Sequence, residues 1–225
     1  GRAAAPRIDP QGKPLDPGTN ATEIFILPVA ACEAGTAACT PKKVEYDGSE
    51  SGMSFSPDGK WIAFEGRPGG NRTPRLYAAQ TTGGKAIDLW GSWIFKPGAG
   101  TWTADNKISM SVTTGGSSGL YKFDPVTARA TAIIGGDRQV SGLQWSKDRS
   151  KIYFVSISHA VPTEIHSINA GGTAERVLTN INGALKSEVA FSDAERFTFK
   201  SVGDLEIEGW MLKPYGYTPG RRYPL

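Results

Sequence analysis

An all-β fold built from repeated four-stranded units is what this sequence predicts, and three observations carry that expectation. A turn motif occurs three times, as Ser56-Pro57-Asp58-Gly59-Lys60, as Thr103-Ala104-Asp105-Asn106-Lys107 and as Ser146-Lys147-Asp148-Arg149-Ser150, and its aspartates stand 47 and 43 residues apart. Each copy follows a short run carrying an aromatic residue, Phe55, Trp102 or Trp145, and precedes the most apolar run of its repeat. Gly- and Pro-rich punctuation divides each repeat into four runs. That period is the length of a four-stranded β-propeller blade. Three clear copies are too few to close a ring, so the sequence reads as a partial propeller belonging to something larger.

Taken in order, residues 1–22 carry Pro6, Pro10, Pro14 and Pro17 and read as an extended connection. Glu23 to Val29 reads as a strand, Cys32 to Thr40 as its loop and Lys43 to Tyr46 as the next strand, together the outer half of a blade. The first full repeat holds strands over Gly52–Ser56, Trp61–Gly66, Arg75–Gln80 and Lys85–Leu89. In its turn Pro57 fixes φ, Asp58 accepts bonds from the following amides and Gly59 supplies a positive φ. The second repeat is expected over Gly100–Thr103, Lys107–Thr113, Leu120–Asp124 and Ala130–Ile134. The third is expected over Ser141–Ser146, Lys151–Ser158, Glu164–Asn169 and Glu175–Leu178. A fourth unit opens with Lys186–Ser192 and then loses the repeat, which sets a boundary near Glu195. The expected organisation is therefore 1–22 connection, 23–194 propeller blades and 195–225 the start of a different domain.

Composition narrows the function. An apolar fraction of 39% suffices for a core, and a net charge of +3 without long basic runs argues against nucleic acid or an anionic membrane as partner. The longest apolar stretch, Ile24 to Cys32 broken by Pro28, is too short to span a bilayer. Cys32 and Cys39 are the only cysteines, across a small-residue loop, and read either as a disulfide or as two free thiols. A disulfide would imply a periplasmic or secreted setting. Asn20-Ala21-Thr22 and Asn71-Arg72-Thr73 fit the glycosylation pattern, which matters only in a eukaryotic secretory pathway.

One stretch mimics a catalytic motif: Gly115-Gly116-Ser117-Ser118-Gly119 satisfies G-x-S-x-G. A nucleophile elbow needs a strand before it and a helix after it, whereas here the match joins two strands and Pro125 argues against a helix. Ser117 is read as part of a hairpin loop. Asp58, Asp105 and Asp148, one per repeat at a turn, are read as structural caps, and Trp61, Trp93, Trp102 and Trp145 as packing between blades. His159 and His166 lack the partners of a metal site, so neither metal nor cofactor is expected. His166 reads as a half-buried strand residue. The loops after the second strands are the longest and most charged, which nominates Arg67, Arg72, His159 and Glu164 for substrate contact, Glu164 as the loop carboxylate.

The tail carries a resemblance. Phe199-Lys200-Ser201-Val202-Gly203-Asp204-Leu205-Glu206-Ile207-Glu208-Gly209-Trp210-Met211-Leu212-Lys213-Pro214, continuing to Arg221-Arg222-Tyr223-Pro224-Leu225, resembles the start of the hydrolase domain in the prolyl oligopeptidase family. The similarity is closest to the acylaminoacyl-peptidase and dipeptidyl-peptidase-five branch, whose propellers also carry turns like Ser56 to Lys60. The resemblance implies a parent serine peptidase in which a propeller admits short peptides to a Ser-Asp-His triad. The family's oxyanion loop, nucleophile elbow, aspartate and histidine have no counterpart here, so no catalytic residue is expected in this chain. It further implies remaining blades and a hydrolase domain as partners, in the same polypeptide or another, with a homo-oligomer also open. The competing expectation is a TolB-like propeller that binds proteins without any enzyme attached.

Overall fold

The computed structural model describes residues 23–68, 73–95, 97–98 and 100–223. Expectations for residues 1–22, for Asn71 and Arg72, and for Pro224 and Leu225 lie outside the described residues. The described chain forms three four-stranded sheets of propeller-blade type, a three-stranded sheet and a two-stranded hairpin. Its described residues divide into two compact units, those within 23–111 and 122–131, and those within 112–121 and 132–223.

The first unit opens with β1 (Phe25–Ile26), helix α1 (Val29–Glu33) and β2 (Lys42–Glu45). The long strand expected over Glu23–Val29 is therefore cut to two residues, and Val29 begins a helix inside what was read as strand and loop. Pro28 lacks the amide that would extend the strand ladder, and Ala30 and Ala31 favour the helix that follows. Cys32 and Cys39 are joined in a disulfide. The first blade comprises β3 (Gly48–Phe55), β4 (Trp61–Pro68), β5 (Arg75–Gln80) and β7 (Ile87–Asp88), paired in that order. Its expected fourth strand is split: β6 (Gly84–Lys85) pairs in parallel with β2 instead. Tyr46, Phe64 and Tyr77 cluster in this unit's core, with Phe64 and Tyr77 stacked at 5.6 Å.

The second blade runs β8 (Gly100–Trp102), β9 (Ile108–Thr113), β10 (Ser118–Asp124) and β11 (Arg129–Ile134), its strands divided between the two units.

The second unit contains the third blade: β12 (Gln139–Trp145), β13 (Lys151–Ile157), β14 (Glu164–Asn169) and β15 (Arg176–Val177). Strand β13 alternates as a half-buried strand should, with Ile152, Phe154 and Ser156 inward and Lys151, Tyr153 and Ile157 outward. Ile152 and Phe154 join Leu120, Ile134, Val140 and Ile168 in the core. Each such side chain contributes roughly 1.5–3 kcal/mol by leaving water.

Where the sequence suggested a fourth repeat beginning with a strand over Lys186–Ser192, the chain forms helix α2 (Gly183–Glu188). Ala184, Leu185, Lys186 and Glu188 are good helix formers, and among the described residues no strand pairs with them. Strands β16 (Ala194–Lys200) and β17 (Glu206–Leu212) then form an antiparallel hairpin through a single 3-10 turn at Val202–Asp204.

The three repeated turns share one geometry. Ser56 Oγ, Thr103 Oγ1 and Ser146 Oγ each donate to the aspartate two residues on, at 2.6, 2.6 and 2.7 Å. Asp58 and Asp148 also accept the backbone amides of Lys60 and Ser150, both at 3.1 Å. The next turn position has positive φ in all three copies, 68° at Gly59, 56° at Asn106 and 59° at Arg149. These aspartates are caps, as the repeat implied, and Ser117 sits in the loop joining β9 to β10.

Candidate functional site

The β16–β17 hairpin builds the site because its two faces differ. Phe197, Phe199, Ile207 and Met211 occupy one face by alternation, and Arg196, Glu208 and Trp210 occupy the other. Gly209 lies opposite Phe197 and leaves the room that the phenyl ring fills; a Cβ there would overlap the ring.

Glu208 anchors the polar face. Its carboxylate accepts the Gly116 amide at 2.7 Å, the Trp210 indole N–H at 3.1 Å and an Arg196 Nη2–H at 2.6 Å. The Gly116 amide first, then Trp210 and Arg196, hold this carboxyl below the ordinary carboxylate range. Gly115 and Gly116 make the approach possible. A Cβ on Gly115 would press on the Glu208 carboxylate, and one on Gly116 would overlap the Trp210 indole nitrogen. The glycines that mimicked a nucleophile elbow are thus the platform on which the hairpin rests. Gln139 completes it by donating to the Gly116 carbonyl at 2.6 Å.

Beside this clasp lies an open cavity of about 240 Å³, lined by Asp137, Gln139, Ile157, Ser158, His159 and Trp210 among others. His159 stacks on Trp210 with ring centroids 5.2 Å apart. Arg138, also on the lining, is committed elsewhere. Its Nη1 and Nη2 donate to Glu175 at 2.6 and 2.9 Å, and its Nε donates to the Gly135 carbonyl at 2.8 Å. Glu175 in turn lies 2.8 Å from His166 Nδ1, and Arg138 holds its carboxyl below the usual range. His166 is therefore a buried strand residue in an ion-paired network.

The sequence-nominated residues separate. His159 lines the cavity. Arg67 lies in the first unit, in β4, where its guanidinium pairs with Glu65 at 3.1 Å. Arg72 lies outside the described residues. Glu164, read both as the loop carboxylate and as the start of the third strand, is the first residue of β14 and is 1% exposed. It accepts from Thr179 Oγ1 at 2.5 Å, from the amides of Ile181 and Asn182 at 3.0 and 3.2 Å, and from Lys186 at 3.3 Å. Thr179 leads these donors in lowering its pKa to about 2. That carboxylate fastens the segment leading into α2, and its acceptor sites are filled. Sequence reading missed Asp137, Trp210 and Glu208, because the contacts that unite them span the unit. The Gly115-Gly116 pair was the available signal, noticed for a different reason.

No protein-family model matches this chain, and no curated protein matches it. Solved structures do. The acylaminoacyl peptidase of Pyrococcus horikoshii is similar at 19% identity and a TM-score of 0.55, over 93% of this chain and 30% of that one. Dipeptidyl peptidase 4 of Porphyromonas gingivalis is similar at 17% identity and a TM-score of 0.55, with the same coverages of 93% and 30%. A variant of the AtxE2 isopeptidase with Astexin3-dC4 bound gives 16% identity and a TM-score of 0.59, over 83% of this chain and 30% of that one. At these identities the likeness is one of fold, that of propeller blades, and the propeller portion of the resemblance seen in the sequence is consistent with it. The chain spans about 30% of the length of each of these peptidases.

Proposed function

We propose that this chain is the non-catalytic propeller part of a serine exopeptidase or oligopeptidase, of the acylaminoacyl- or dipeptidyl-peptidase kind. In this reading it restricts a Ser-Asp-His hydrolase domain to short peptides. The observation that carries the reading is the β16–β17 hairpin, which follows the third blade and is clasped through Glu208 to Gly116 in the β9–β10 loop of the same unit. A self-contained scaffold has no need of it. The hairpin's other face supports the same reading: Phe197, Phe199 and Met211 are all more than 40% exposed, a surface that a second domain would cover.

The partners are accordingly further blades and the hydrolase domain, in this polypeptide or a companion chain, with short peptides as substrates. The Cys32–Cys39 disulfide supports a periplasmic or secreted location, where such bonds persist. The test is intact-mass measurement of the native protein combined with a fluorophosphonate serine-hydrolase probe. Label on a serine outside these 225 residues, with hydrolysis of short peptides but not of folded proteins, is the expected result. A protein of 24.0 kDa with no label and no copurifying hydrolase would overturn the reading and leave a protein-binding propeller.

A further inference from the structure

The cavity beside Trp210 has an unspent recognition capacity. Of the charged groups around it, Arg138 and Glu175 neutralise one another, and Arg196 and Glu208 do the same. Asp137 remains. No described residue donates a hydrogen bond to it, and Arg196 Nη1 approaches only to 3.9 Å while its partner nitrogen serves Glu208. The cavity thus presents a carboxylate with no hydrogen bond and only a long ion pair, to an Arg196 shared with Glu208, beside an aromatic pair, His159 on Trp210, with Ile157 as apolar lining. Its volume of about 240 Å³ lies below the roughly 300–1,000 Å³ of sites for drug-sized ligands, so it suits a single side chain.

We propose that this cavity binds a guanidinium group, as carried by an arginine side chain of a peptide. A guanidinium meets all three features at once: its planar face packs against aromatic rings, its fork of N–H donors matches a carboxylate, and its methylene stem lies along Ile157. An ammonium would satisfy Asp137 but leave the aromatic pair with a compact, strongly hydrated charge. An anionic ligand is disfavoured by the Asp137 carboxylate. The assignment goes beyond the peptidase reading and does not depend on it, because binding requires no hydrolysis.

The experiment is calorimetric titration of the full-length protein with N-acetyl-arginine amide, using the citrulline amide as an isosteric neutral control. Saturable binding is expected, with citrulline weaker by at least about tenfold, the factor that a charge-assisted hydrogen bond supplies. Asp137→Asn is expected to lose a similar factor while melting as the wild type does, since Asp137 is exposed and holds no bond that folding needs. His159→Ala is expected to weaken binding roughly two- to fivefold through the lost aromatic surface. Equal binding of citrulline, an unchanged affinity in Asp137→Asn, or no measurable binding of the arginine amide would each overturn the proposal.

Discussion

The turn at Ser146–Lys151 and the hairpin β16–β17 solve the same problem over very different stretches of chain. Both place a carboxylate on a backbone amide. Asp148 accepts from Ser150 two residues on, whereas Glu208 accepts from Gly116 across 92 residues. The turn closes almost no loop, so its geometry is written into five or six consecutive residues and recurs wherever they do. The clasp has to overcome the entropy of closing a long loop and forms only when blade and hairpin are both in place. It therefore reports on docking, and the turn on local sequence alone.

That contrast can be broken hardest from the core. Phe154→Ala empties a 1% exposed position in the third blade and is expected to cost about 3–5 kcal/mol. The midpoint of a denaturant titration should fall accordingly, and the clasp should be lost along with the blade. Gly116→Ala separates the two regions instead. Its Cβ overlaps the Trp210 indole, an overpacking worth about 1–3 kcal/mol, so hydrogen exchange should quicken across β16 and β17 while β13 keeps its protection. Glu164→Gln is a third, more confined test. It replaces one acceptor oxygen with a donor, which faces either the Ile181 amide, bonded to Oε2, or the Asn182 amide, bonded to Oε1, and faster exchange at one of those residues with little change in β13 is expected.

The smallest effect concerns pH. Hydrogen bonds from Ser146 and Ser150 lower the Asp148 pKa from its ordinary 3.8 to about 2. Because the folded value is the depressed one, the stabilisation is fully present above pH 3.8 and fades as pH falls toward 2. Asp148→Asn should flatten that part of the acid limb slightly and leave the neutral-pH fold unchanged, as followed by circular dichroism against pH.

The same contrast explains which parts were legible in the sequence. Strands β5 and β14 fall at the bounds expected, Arg75–Gln80 and Glu164–Asn169, because alternation and turn chemistry act locally. The helix α2 was masked by the expectation of a fourth repeat, although Ala184, Leu185 and Lys186 favour helix, and the strand leading to the first cysteine was overextended past Pro28. Of the cavity, only His159 was anticipated. Asp137 looks like any turn aspartate until Glu208 claims Arg196, and Trp210 becomes a wall only when Gly116 admits it. Glu164 shows the converse: a charged residue at a loop edge can turn inward to hold the backbone.

The β16–β17 hairpin is docked on the β9–β10 loop of its own unit through a carboxylate clasp, and the amide of Gly116 reads that docking most directly. Residue-resolved hydrogen exchange on the full-length protein should find this loop amide protected in the wild type. It should exchange rapidly in Glu208→Ala, with Ile152 to Ser156 unchanged. A Gly116 amide that exchanges at the rate of an open loop in the wild type would contradict the clasp, and with it the observation on which the peptidase reading rests.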